Sequence, residues 1–119
     1  MPESFRNLDI WKDANYLAIE LYKIIGDFPD FEKFSLANQI NRAAVSVPAN
    51  IAESCGRYGI KDKIQLLMVS RGSLYEIRSH LSIALGLKYI DMEKFQDLEN
   101  RYEILAKRLN AFIKHLKST

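Results

Sequence analysis

A chain of 119 residues, 48% hydrophobic and 27% charged, has enough apolar side chains for one core, which excludes a disordered chain. Five Gly and three Pro are too few for a turn-rich β fold, and a single cysteine excludes an intramolecular disulfide and fits a reducing compartment. A net charge of +2 makes a lone copy a weak non-specific binder of nucleic acid.

The first predicted helix runs from about residue 7 to 25. Asn7 or Asp9 can cap it. Trp11, Ala14, Ala18, Leu21 and Ile25 line one face, widened by Ile10, Leu17 and Ile24. Gly26 is expected to stop it in the left-handed region. A turn follows at Asp27-Phe28-Pro29-Asp30, because Pro29 disfavours helix at Phe28. Phe28, Phe31 and Phe34 are expected to plug the end of the core.

The second helix is predicted from 35 to 57 and is the stretch around which the chain is organised. Ser35 is its expected cap. Leu36, Ile40, Ala44, Val47, Ile51 and Cys55 recur at steps of three and four and form an apolar stripe. Arg42, Ser46, Asn50, Glu53 and Arg57 recur the same way as a polar stripe. Pro48 interrupts the middle at a cost of roughly 3 kcal/mol. The apolar stripe keeps phase across it, so a kinked but continuous helix is expected.

The third helix is predicted from 62 to 87, with the seam Leu67, Ser70, Leu74, Ile77, Leu81 and Ala84. Ser70, Gly72 and Ser73 suggest a close approach to the alanines of the second helix. The fourth is predicted from 91 to 117. Asp91 is its N-cap, and Phe95, Leu98, Tyr102, Leu105, Leu109, Phe112 and Leu116 form its stripe. With short connections and no credible strand, residues 1–119 should form one all-α domain, an antiparallel up-down-up-down four-helix bundle. No apolar run approaches the roughly 20 residues of a membrane span. MPESFRNLD lacks the basic and apolar regions of a signal peptide. A cytoplasmic protein without membrane contact is expected.

The run Phe28 to Arg57, FPDFEKFSLANQINRAAVSVPANIAESCGR, resembles the signature of the 23S rRNA intervening-sequence protein family, also called four-helix bundle proteins. The pattern reads F-P-x-x-E, then L-x-x-Q-I-x-R-A-x-x-S-I-x-x-N-I-A-E-G-x-x-R. Phe28, Pro29, Glu32, Leu36, Gln39, Ile40, Arg42, Ala43, Ser46, Asn50, Ile51, Ala52, Glu53 and Arg57 match it. Asn41 replaces a common arginine and Ser54 a common glycine. Leu8-Asp9-Ile10-Trp11 and Arg71-Gly72-Ser73-Leu74-Tyr75-Glu76 extend the likeness to nearly the whole chain. The resemblance implies a ring-like homo-oligomer, typically a pentamer. It also implies kinship with accessory variability proteins of diversity-generating retroelements, which bind nucleic acid and a reverse transcriptase. It implies no reaction.

The residues themselves point away from catalysis. Glu76 and His80 are four apart, not the three that a di-iron bundle uses, and His115 sits near the frayed end. Cys55 lies on the expected buried stripe and reads as a core residue. No Gly-rich phosphate loop is present. Neither an enzyme nor a cofactor is therefore expected. Arg42, Ser46, Asn50, Glu53 and Glu76 read as a structural polar network or a subunit interface.

Residues 1–41 carry a net charge of −3, residues 42–90 of +4 and residues 91–119 of +1. In the electropositive middle, Arg57, Lys61 and Lys63 cluster around Tyr58, and Arg71 and Arg78, seven apart, share a helix face. In a ring these groups would repeat and their fields would add. The expectation is a non-enzymatic oligomeric scaffold that binds RNA, DNA or a nucleic-acid-processing protein through them. The alternative is a protein–protein interaction module that binds no nucleic acid.

Overall fold

The computed structural model describes residues 4–119, so the first three residues of the expected domain lie outside the described part. Four helices account for most of it: α1 (Asp9–Ile25), α2 (Leu36–Cys55), α3 (Ile60–Gly86) and α4 (Met92–Lys117). Short 3-10 turns at Phe5–Asn7 and Asp30–Glu32 precede α1 and α2. Among the described residues there is no strand, and no helix is long and apolar enough to cross a membrane.

Side-chain bonds between helices give the register. Ser70 Oγ donates to the Val47 carbonyl (2.7 Å) and Ser73 Oγ to Ser46 Oγ (2.8 Å), so α3 ascends as α2 descends. Arg71 reaches Asn110 and Arg78 reaches Glu99, so α4 runs antiparallel to α3. The backbones of α2 and α3 approach most extensively and those of α1 and α4 least, while the diagonal helices meet only through the shared core. This is an antiparallel four-helix bundle about 45 Å long.

The apolar periodicities become the core. Leu67, Ser70, Leu74, Ile77, Leu81 and Ala84 are all fully buried, as the seam of α3 predicts. In α4, Leu98, Tyr102, Leu105 and Leu109 are buried, and Phe95, Phe112 and Leu116 pack at the margin. α2 continues through Pro48, which is itself buried. The expected close approach of α3 is made by Ser70 and Ser73. Ser70 adds its bond to the carbonyl just before the proline.

Several local expectations need correction. Leu8, not Asn7 or Asp9, is the N-cap of α1, and it makes no side-chain bond; Ser4 caps the preceding turn instead. Gly26 is right-handed (φ −60°), because the chain continues into a tight turn rather than reversing. Ser35 makes no capping bond. The Leu36 N–H goes to Glu32 Oε1 at 3.3 Å, from one turn upstream.

Phe28 is buried against Tyr89, but Phe31, in the 3-10 turn, and Phe34, in the turn that follows it, are 75% and 86% exposed. Cys55 is exposed and Ser54 is buried in its place. Ser54 can hold the site because its hydroxyl bonds the Ile51 carbonyl at 2.6 Å. Gly72 faces outward, and a Cβ there would meet nothing within 4 Å. It does not mediate a contact within the chain.

Candidate nucleic-acid interface

α2 ends where Gly56 follows Cys55, and α3 starts after Gly59, in extended conformation, as N-cap. Between them stand only Arg57 and Tyr58. Lys63, in the first turns of α3, sends its Nζ back to the Ser54 carbonyl at 3.1 Å. A cation at a helix C-terminus meets the negative end of the dipole and satisfies an orphan carbonyl. Arg57 Nη2 pairs with Glu53 Oε1 at 2.8 Å, with both side chains about half exposed. A surface pair of this kind contributes little and exchanges readily. Lys61 is exposed and has no ion-pair partner among the described residues. Tyr58 is fully exposed.

Arg71 and Arg78 do share a face, but that face meets α4. Arg71 Nη1 donates to Asn110 Oδ1 at 2.9 Å. Arg78 donates twice to Glu99 Oε1, at 2.9 and 2.5 Å, and lies over the Tyr75 ring. The Glu99 hydrogen bond raises the Arg78 guanidinium still further above its ordinary value. The five expected basic residues therefore divide into a hairpin group, Arg57, Lys61 and Lys63, and an α3–α4 pair. Their partners on α4, Glu99 and Asn110, are eleven apart, three helical turns, and so share a face.

The polar stripe divides as well. Asn50 Nδ2 donates to the Ser46 carbonyl (2.8 Å) and to Ser46 Oγ (3.0 Å), and Ser73 completes the link to α3. Glu53 is engaged by Arg57 just past the end of α2, and Glu76 by His80 (3.2 Å) within α3. Arg42 has no ion-pair partner among the described residues. It lines an open cleft of about 420 Å3 with Gln39, Ser46, Ser73 and Glu76. Ser73 Oγ donates to Ser46 Oγ, and His80 Nε2 lies 3.2 Å from Glu76 Oε2.

Sequence periodicity did not show the apolar side chains that are left exposed on the helices. Val45 on α2 and Val69, Tyr75 and Ile83 on α3 are about half exposed. Tyr16 and Ile19 on α1 and Ile104 on α4 are equally exposed. Outward apolar residues on α3 are the signal: a helix apolar around its circumference is covered on more than one side.

No curated protein matches the chain. Its fold is similar to the crystal structure of a protein of unknown function from the S23 ribosomal protein family of Bacteroides thetaiotaomicron. The TM-score is 0.79 and the identity 23%, over 88% of this chain and 98% of that one. The sequence model of the 23S rRNA-intervening sequence protein family matches residues 6–111, and with the Phe28–Arg57 signature laid along α2, the chain belongs to that family.

Proposed function

We propose that the chain is a non-enzymatic, cytoplasmic scaffold that assembles into a homo-oligomeric ring. On the family resemblance the ring is a pentamer. Its repeated basic hairpins bind nucleic acid or meet a nucleic-acid-processing partner. One observation supports the assembly: apolar side chains stand about half exposed on α3 (Tyr75, Ile83) and along the α1–α4 groove (Tyr16, Ile104). Two unlike faces that cover one another pair head to tail, and such contacts form a ring where the rotation between copies closes. Gly72, outward and unobstructed, allows a neighbour's helix to approach the α3 flank.

Repetition is what makes the hairpin cations effective, since one copy carries a net charge of only +2. The test is a salt titration of binding to a structured RNA and to duplex DNA, on protein of known native mass. Phosphate binding should weaken steeply with salt. Arg57→Glu with Lys61→Glu should weaken it without loss of helicity. Lys63 is spared because it holds the end of α2. Ile104→Glu should lower the native mass. A monomer in the unsubstituted chain removes the ring.

The second reading is a protein-interaction module without nucleic-acid binding. It is favoured by Arg71 and Arg78 being engaged by α4, which leaves the basic surface confined to the hairpin. Partner capture that is insensitive to salt, with no RNA or DNA binding at low salt, selects it.

A further inference from the structure

The tip of the α2–α3 hairpin presents an aromatic ring with nothing over it. Tyr58 has a relative exposure of 102%, the highest of the large hydrophobic side chains among the described residues. Gly56 and Gly59 stand two before it and one after it, so neither side chain hides its faces. Arg57 precedes it, and Lys61, three residues on, is without an ion-pair partner among the described residues. Arg57 also lines a cleft of about 230 Å3 with Asp62, Gln65, Leu66 and Val69. The Asp62 carboxylate and the Gln65 amide can hydrogen-bond the edges of a base.

The charge at this tip is modest. Arg57, Lys61 and Lys63 are opposed by Glu53 and Asp62, so attraction of phosphates alone is weak per copy. An open π-face beside cations suits a ligand that brings both a phosphate and an unpaired base. A duplex keeps its bases paired and stacked and offers this ring nothing but backbone. We infer that Tyr58 is a stacking platform for an unpaired base, and that the hairpin takes single-stranded nucleic acid in preference to duplex. This rests on the nucleic-acid reading above and narrows it to a ligand class.

The experiment uses the full chain at known native mass. Its probes are a short mixed-sequence RNA strand, the same strand with abasic sites, and the corresponding duplex. The unsubstituted protein should favour the intact strand over both others. Tyr58→Ala should weaken binding of the intact strand about ten-fold and leave the duplex unchanged. Tyr58→Trp should retain the binding. Its fluorescence, measured above the Trp11 background, should be quenched by the intact strand and not by the abasic one. If the abasic strand binds as well as the intact one, or Tyr58→Ala weakens strand and duplex alike, the stacking platform is overturned while nucleic-acid binding stands. If no probe binds at low salt, the nucleic-acid reading fails and this inference with it.

Discussion

At one end of the bundle a buried carboxylate ties two turns together. Glu32, 7% exposed, accepts the Tyr89 hydroxyl at 2.7 Å from the α3–α4 turn and the Leu36 N–H at the start of α2. Phe28 packs on the Tyr89 ring beside it. At the other end, the α2–α3 hairpin is held by backbone turns and one lysine, and its aromatic ring lies in solvent. The first end sets how the two helical hairpins dock, so its polar groups are buried and paired. The second carries little of the core, so Tyr58 and Lys61 stand uncovered there. Within one chain, burial separates residues that hold the fold from residues available for function.

The largest expected effect breaks the tied end. Glu32→Ala leaves the Tyr89 hydroxyl and the Leu36 N–H without their partner and should cost about 2–3 kcal/mol in urea unfolding. Arg57→Ala with Lys61→Ala at the open end should stay within about 0.5 kcal/mol of the parent. Equal losses at the two ends would abolish the contrast.

A smaller effect concerns tyrosine. The hydrogen bond to Glu32 raises the Tyr89 pKa above its ordinary value of 10.0, with burial adding to the rise. Burial alone pushes Tyr102 up, and its hydroxyl finds no partner in the core. A folded-state pKa above the unfolded one means stability is fully present below pH 10 and is lost as pH rises through the folded values. Thermal unfolding followed against pH should therefore fall at alkaline pH. Tyr89→Phe or Tyr102→Phe should flatten the fall, whereas Tyr58→Phe at the open end should not. At neutral pH, Tyr102→Phe should be neutral or stabilising by up to about 1 kcal/mol, since it removes an unpaired buried hydroxyl.

The smallest effect sharpens the tied end. α3 ends in a Schellman motif: Tyr89 N–H bonds the Ala84 carbonyl and Lys88 N–H the Leu85 carbonyl, at 2.9 and 3.0 Å. The left-handed position falls on Lys88 (φ 65°) rather than on a glycine. Lys88→Gly should raise stability by about 0.5–1 kcal/mol in the same urea titration. A loss there would mean that the lysine side chain supports the turn.

The contrast between the ends was only partly legible in the chain. The motif Phe28-Pro29-x-x-Glu32 could be read, yet the role of Glu32 could not, because its partner Tyr89 lies 57 residues away. Phe31 and Phe34 looked like core by composition, but neither the 3-10 turn that holds Phe31 nor the turn that follows it at Phe34 keeps the period of an α-helix, so their directions followed from the turns. Ser54 and Cys55 exchanged burial because adjacent residues on a helix differ by about 100°, and the neighbouring helix decides which one is covered. Arg71 and Arg78 had the correct shared face, but only α4 determined that it meets Glu99 and Asn110 rather than solvent.

By itself, the sequence determined the helices, their apolar seams, the continuity of α2 across Pro48 and the Asp91 cap. Each depends on residues within a few positions of one another, where helical periodicity and capping chemistry act. The tertiary structure alone decided which polar groups are paired across helices, which apolar ones are left outside, and that Tyr58 stands uncovered at a basic tip. Those outcomes depend on what the rest of the chain places opposite each side chain, and no local pattern encodes that.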